Sequence, residues 1–465
     1  MANTSLGRQN IDWIALTVYI CLLVIGWLML YAVTYDAEAP RSYLNFSTEI
    51  GKQTLWMIIS LVLFSLAFVI DWKFWSTFSF LIYAICMVLL LLVLVFGTEI
   101  KGSKSWFQFG VVSFQPSELA KFGTALAVAS YLSLSSSNIK ILKHLGVTIG
   151  LILLPMFLIL LQPDAGSAAV MFSFFIVLYR AGLSPAYYII AFGLLTVIIL
   201  SLIYSGALVS YLALCALCVV FSLRLENNRV WIPLSILLAT FSLIFFNRVP
   251  SLYFFAGMTV YLMVLAYHNY AERNPRLLAL GLTSLGLATM MSFASSFSFN
   301  MLKPHQQDRI NVWLNPDKCD PRGSLYNLIQ AKTAIGSGGF GGKGYLRGNM
   351  TQNNFIPEQA TDFIFAAIGE EQGFVGIFGV VLLFLILLIR LTVIGERAKN
   401  NFIRYYAYSI AGILFFHFFI NIGMTMGIMP VIGIPLPFLS RGGSSLAIFS
   451  MMIALAIKMD TARNR

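Results

Sequence analysis

Apolar runs of about 17 to 25 residues recur along this chain from Ile11 to Met459, and each, coiled as a helix, is long enough to cross roughly 30 Å of hydrocarbon. Runs such as Ile58 to Ile70 are apolar at nearly every position rather than alternating, which excludes the strands of a membrane barrel. With 59% hydrophobic and 11% charged residues and a mean hydropathy of +0.83, the 465-residue chain lacks the polar surface of a water-soluble fold. The expected fold is all-α, a polytopic membrane helix bundle.

Fourteen windows qualify as spans, at 11–35, 53–70, 78–97, 117–134, 145–161, 165–182, 185–204, 207–223, 231–247, 251–267, 276–298, 363–389, 402–428 and 440–458. An even number puts both ends of the chain on one side. Lys and Arg, among them Lys140, Lys143, Arg390, Arg397 and Lys399, are more numerous in the short loops on that side. A multi-pass protein of the cytoplasmic membrane with both termini in the cytoplasm is therefore expected. MANTSLGRQNIDW and the run after it offer no small-residue cleavage site, so the first run is expected to remain as a helix, with no soluble domain at either end.

The net charge of +11 is scattered singly between apolar spans, which suits anionic lipid head groups and not nucleic acid. Cys215 and Cys218 form a CxxC inside an apolar run without a second pair or a nearby His, a pattern of packing rather than of metal binding. The expected divisions are 1–184 with six helices, 185–299 with five, a large extracytoplasmic loop at 300–362, and 363–465 with three. A loop of about 60 residues in a compact protein is usually functional or disordered, and Trp313, Leu325, Ile329 and Phe340 argue against disorder. Leu325, Leu328, Ile329 and Ile335 recur at helical spacing around Lys332, predicting a short amphipathic helix.

Charged side chains in membrane helices cost about 2.5 to 3.5 kcal/mol each and demand an account. Glu118 and Lys121 in QPSELAK lie three apart on one helix face and can pair; Asp164 in LLQPDAGS can cap the helix that follows it. The run AIGSGGFGGKG, Ala334 to Gly344 with Lys343 inside it, is either a backbone cradle for an anion or a flexible hinge; its spacing is not that of a Walker loop. In IPEQATDFIFAAIGEEQGF, Glu358 and Asp362 stand at the mouth of the twelfth span. There Thr361 or Asp362 can serve as a cap, or Asp362 as a base facing a lipid-anchored substrate. MPVIGIPLPFLSRGGSS packs three prolines and three glycines between two spans, so the chain must run irregularly there, buried or lining a cavity.

Taken together, QPSELAK, LLQPDAG, YNLIQAKTAIGSGGFGGKG, PEQATDFIF with EEQGFVG, and GIPLPFLSRGGSS resemble in order and spacing the SEDS proteins, the RodA/FtsW family of cell-wall elongation and division. The resemblance covers residues 105 to 182 and 305 to 458, and the first three spans by topology. It implies a peptidoglycan polymerase that joins lipid II units into β-1,4 glycan strands at the outer face of the cytoplasmic membrane. Its implied partner is a class B penicillin-binding protein, the transpeptidase. By motif match Asp362 falls on the family's essential acidic residue, and Glu118, Lys121 and Asp164 on other functionally important charged positions.

The implied reaction is attack by an acceptor 4-hydroxyl on C1 of a lipid-linked donor with inversion. Asp362 serves as base, and Arg309, Lys343 or Lys121 faces the departing diphosphate. A divalent cation, Mg or Mn, is an optional bridge, and Glu358 and Ser444 complete the expected substrate-binding set. The absence of an extended N-terminal tail favours the elongation branch. The chain departs from the family pattern in two ways: the family usually has ten spans, so about four helices within 185–299 are expected to be inserted, and Arg441 stands where relatives generally carry an aromatic residue. The competing classes are a lipid II flippase or transporter and a scaffold for the transpeptidase. The lack of an internal repeat and the position of Glu118, Asp164 and Asp362 near the outer edge weigh against the first.

Overall fold

The computed structural model describes residues 11–35, 48–100, 102–110, 112–134, 138–223, 225, 227–246, 250–271, 275–302, 304–323 and 325–462. The chain divides into two compact units, one of Met1–Ser184 with Cys319–Arg465 and one of Pro185–Lys318.

The first unit opens with α1 (Trp13–Thr34), α2 (Glu49–Val69), α3 (Trp72–Thr77) and α4 (Ser79–Phe96). Side-chain caps start three of them: Asp12 accepts from the amide of Ala15, Thr48 from that of Gly51 and Asp71 from that of Lys73. A three-stranded antiparallel sheet follows, β1 (Thr98–Ile100), β2 (Ser103–Phe109) and β3 (Val112–Phe114). The all-α expectation missed this small sheet. Its turns are two residues long, with Gly102 at φ 79° and Gly110 at φ 62°, where glycine alone carries no steric penalty.

Next come α5 (Pro116–Ser133), α6 (Leu142–Leu160), α7 (Ala165–Val170) and α8 (Phe175–Arg180). The second unit holds α9 (Pro185–Ile203), α10 (Gly206–Ser222), α11 (Asn228–Phe245), α12 (Ser251–Ala271), α13 (Pro275–Met301) and α14 (Pro304–Leu314). The chain returns to the first unit with α15 (Tyr326–Gly338), α16 (Asn349–Gln352), α17 (Ile364–Arg397), α18 (Asn401–Met426) and α19 (Gly443–Thr461). The protein is thus mostly helical. The apolar windows fall on helices, except that 165–182 is two short helices, α7 and α8, separated by a 3-10 turn at Met171–Phe174; among the described residues nine helices are long and apolar enough to span a membrane.

The first unit sorts its helices by composition. On α2, Ile58, Leu61, Val62, Leu66 and Val69 are exposed, as suits a helix facing lipid. In α5, by contrast, Ala120 to Ala129 are buried without a break, and α18 and α19 are buried along most of their length. Glu118, Lys121, His417 and Asn421, polar groups that would be costly in lipid, sit buried on α5 and α18.

At one end of the unit Arg390 and Arg397 both reach Asp12, at 2.6 and 2.7 Å, and Arg397 also reaches Asp460 at 2.9 Å. This cluster puts the start of α1 and the end of α19 on one side. Burial raises the Asp12 carboxyl, but the hydrogen bond from Arg390, the Ala15 amide and the charges of both arginines outweigh it and hold the group below its usual value. Asp12→Asn is expected to cost about 3 kcal/mol, since it leaves the Arg390 guanidinium facing a neutral partner and Arg397 with Asp460 alone. Because the folded-state value is depressed, that stabilisation is present above the free carboxyl's 3.8 and is lost as pH falls through the folded-state value. Melting of wild type and variant across pH checks this; a gap that widened on acidification would contradict it.

The second unit has its own core of Tyr211, Leu214, Cys215, Cys218, Phe221, Leu262 and Leu265, so both cysteines of the CxxC lie in apolar packing. Hydroxyl contacts tie its helices: Ser222 to Ser235 at 2.6 Å, and Ser235 to Tyr261 at 2.9 Å. This unit runs to Lys318, beyond the boundary expected at 299. α13 continues to Met301, and in α14 the Gln307 amide donates to the carbonyls of Phe299 and Leu302. The expected loop at 300–362 is therefore not one element. Its first part belongs to the second unit, and its remainder folds as α15, α16 and tight turns in the first.

Candidate active site

Residues 427–442 contain no helix, because Pro430, Pro435 and Pro437 withhold amide donors while Gly427 and Gly433 turn the chain at φ 76° and 78°. Backbone left open inside a bundle must be satisfied by side chains. Two residues one turn apart on α18 do so: the Asn421 amide donates to the Ile434 carbonyl at 2.8 Å, and His417 Nδ1 lies 3.1 Å from that of Pro435. Ser440 accepts from the Leu436 amide at 2.9 Å, and the Arg441 amide donates to the Ala360 carbonyl at 2.7 Å. The Arg441 guanidinium pairs with Glu49 in a part-exposed bridge that contributes little to stability.

Asp362 meets this segment side-on. A Cβ at Gly433 would lie 3.3 Å from Asp362 Oδ2, and the same Asn421 amide donates to the Asp362 carbonyl at 3.0 Å. The turn that presents Asp362 is made by Glu358, at φ 56°, whose carbonyl accepts from the amides of Thr361, Asp362 and Phe363. A non-glycine residue with positive φ is uncommon and clusters at functional sites. The cap position of α17 belongs to Phe363, without a side-chain capping bond, and the Thr361 hydroxyl turns instead to Glu358 at 3.1 Å. Glu358 itself is exposed and Asp362 half-buried.

Asp164 flanks the same segment. It caps α7 through Oδ1, accepting from the Ser167 amide at 3.0 Å, while Oδ2 accepts from Gln115 Nε2 at 2.8 Å. The Gln115 amide reaches Ser444 Oγ at 3.3 Å, and a Cβ on Gly166 would sit 3.3 Å from the Ile432 carbonyl. Asp362, Asp164 and Ser444 are thus gathered around one irregular strand. Below it Lys121 Nζ lies 2.8 Å from Glu118 Oε1 and 3.0 Å from His417 Nε2, with 0%, 3% and 1% of the three residues exposed.

Lys343 is placed otherwise. Its ammonium is 2.7 Å from Glu370, which is fully buried and also accepts from the amides of Met350 and Thr351 and the Thr351 hydroxyl. The glycine run around it lies against α17 rather than an open ligand site. A Cβ on Gly338 would meet the Gly369 carbonyl at 2.0 Å, and one on Gly342 the Glu371 carbonyl at 2.2 Å. α17 is broken at Gly373 (φ 62°), where amides of Phe374 and Val375 donate back to the carbonyls of Gly339 and Phe340. The glycines serve backbone-to-backbone packing. α15 forms where the spacing places a helix, but it buries Leu328, Ala331 and Ala334 and leaves Ile329 exposed; Lys332 projects to the carboxyl end of α18 at Gly427, where a cation is favourable. Arg309 lies on α14 of the second unit, exposed.

Sequence reasoning missed Gln115, His417, Asn421 and Glu370. The signal for two was present, since His417 and Asn421 are polar residues four apart in an otherwise apolar run. Among the described residues no group of three or more His, Cys, Asp or Glu is arranged to hold a metal ion.

The family model of the FtsW, RodA and SpoVE cell cycle proteins matches residues 12–213 and 222–465. The chain is 33% identical over 464 residues to the peptidoglycan glycosyltransferase RodA of Treponema pallidum, covering 98% of each chain. It is 30% identical over 457 residues to the peptidoglycan glycosyltransferase MrdB of Escherichia coli K12, covering 98% of this chain and 95% of that one. Its fold is similar to a chain of a peptidoglycan synthase complex that coordinates polymerization and crosslinking, with a TM-score of 0.65 at 23% identity and coverage of 98% and 99%. It is also similar to the rod shape determining protein RodA of Thermus thermophilus, with a TM-score of 0.57 at 21% identity and 98% coverage of both chains. With the family model matched across nearly its whole length, the chain belongs to the FtsW/RodA/SpoVE family of cell cycle proteins.

Proposed function

We propose that this protein is a peptidoglycan glycosyltransferase that polymerises lipid II into β-1,4 glycan strands for cell elongation and shape. The observation that carries the reading is Asp362, presented by a positive-φ turn against Gly433 between two membrane-spanning helices. A lipid-anchored sugar can reach such a carboxylate while its tail stays in the bilayer. The 4-hydroxyl of the acceptor GlcNAc attacks C1 of the donor MurNAc. The C1–O4 bond forms, the C1–phosphate bond breaks with inversion, and undecaprenyl diphosphate leaves. Asp362 takes the hydroxyl proton, for which it must come within about 3 Å of that oxygen.

Lys121 and Lys343 are already paired with Glu118 and Glu370, so neither is an uncommitted cation for the leaving diphosphate. Mg²⁺ or Mn²⁺ suits the remaining donors, because such ions bind through one or two carboxylates together with substrate phosphates. When bound it would supply charge stabilisation of the diphosphate, with Asp164 as its protein ligand.

The site belongs on the outer face of the cytoplasmic membrane. The basic residues near the Asp12 cluster support cytoplasmic termini. Fourteen spans remain the reading of the fourteen windows, with four helices of the second unit as an insertion in a ten-helix core. Support comes from that unit's separate core. A class B penicillin-binding protein is the proposed partner, supported by the fold's similarity to a chain of a synthase complex that polymerises and crosslinks.

The test is polymerisation of labelled lipid II by the purified chain, with and without its cognate transpeptidase. Glycan strands are the expected product. Their absence with the partner present and both proteins folded would sink the polymerase reading and favour a lipid II flippase or a scaffold.

A further inference from the structure

We propose that His417 is a positioning residue for the polymerisation reaction, linking the buried Glu118–Lys121 pair to the backbone segment that seats Asp362. The inference rests on the function proposed above. Lys121 is fully buried and directs its ammonium to Glu118 Oε1 and His417 Nε2, so it acts on substrate only through other groups. An ammonium only donates and a carbonyl only accepts. His417 therefore accepts from Lys121 at Nε2 and donates from Nδ1 to the Pro435 carbonyl, which fixes one neutral tautomer and one ring orientation. The ring is further clamped edge-on by Phe449, with centroids 5.0 Å apart.

One turn along the same face of α18, Asn421 holds the preceding carbonyl, Ile434, and the carbonyl of Asp362 itself. The two side chains together fix residues 434 and 435, and the adjoining Gly433 is the wall against Asp362 Oδ2. The chain of contacts thus runs Glu118, Lys121, His417, Pro435, Gly433, Asp362. It gives the charged pair of α5 a task without substrate contact: it holds the imidazole that holds the strand. Glu118 Oε2 is buried without a hydrogen-bond partner, a cost the fold bears to keep the pair there. A base displaced by about 1 Å can lose on the order of 10²-fold in rate, while contacts made elsewhere with the substrate persist.

Two variants cut the chain at different links. Asn places its amide where Nδ1 sits, keeping a donor for Pro435 and severing Lys121; Gln places its amide where Nε2 sits and does the reverse. In lipid II polymerisation by the full chain with its transpeptidase, His417→Asn and His417→Gln are each expected to lower kcat at least tenfold. KM should stay within twofold. Added to Lys121→Met, His417→Asn should cost less than a further twofold, because the link it cuts is already gone. A folded His417→Asn protein with wild-type kcat, or effects that multiply with Lys121→Met, would overturn the proposal. Should the Asn variant fail to fold, His417→Gln decides: reduced kcat at unchanged KM supports it, and wild-type kcat overturns it. A wild type that forms no glycan removes the underlying function and this role with it, so the two failures are distinguishable.

Discussion

Asp362→Asn is expected to lower the kcat of lipid II polymerisation by about 10² to 10⁴-fold, the range supplied by a positioned general base. KM should change little, because Asn keeps the shape of the side chain while removing the charge and with it the capacity to take a proton. The fold has little reason to respond: the turn is held by the Glu358 carbonyl and by Asn421, both of which bond to the Asp362 backbone. Stability should therefore remain within about 1 kcal/mol of wild type. Retention of rate within tenfold would move the base elsewhere, and Asp164, which flanks the same 427–442 segment, is the next carboxylate. Its two oxygens already serve the Ser167 amide and Gln115, so it is the weaker candidate. A variant that still bound its transpeptidase but formed no glycan would also separate an enzyme from a scaffold.

How far the sequence reaches can be judged from particular residues. The helices were legible because a backbone in lipid must be satisfied within a helix or a closed barrel and the runs do not alternate, so the apolar windows became helices, 165–182 as two short ones. Asp362, Asp164 and Ser444 were legible as polar residues at the mouths of spans, and the structure gathers them at one segment. The role of AIGSGGFGGKG was not legible. Glycine permits close approach without saying to what, and its partners, Gly369 to Gly373, lie about thirty residues downstream across a turn no local pattern encodes. The pairing of Lys343 was not legible for the same reason, as its carboxylate partner sits in the EEQ of the next helix. The strands at 98–114 are too short for periodicity to stand out against flanking helices. The boundary at Lys318 depends on α14 contacts that spacing does not report.

The pairing of Lys343 with Glu370 makes a prediction that separates structure from chemistry. Glu370→Ala should destabilise the protein by about 3 kcal/mol, because it leaves the amides of Met350 and Thr351, a hydroxyl and an ammonium without their common acceptor. Lys343 is partly solvated and recovers some of that loss; the Thr351 amide and hydroxyl, with Thr351 fully buried, do not. The measured melting temperature should fall by about 5 °C or more. Lys343→Met should lower it less, since three donors still face the carboxylate. If Lys343 instead met the diphosphate of the substrate, Lys343→Met would raise KM while leaving melting unchanged, and Glu370→Ala would leave KM alone. The structural pairing requires the contrary: both variants melt early, the double variant melts no earlier than Glu370→Ala alone, and KM follows the loss of fold rather than the loss of charge.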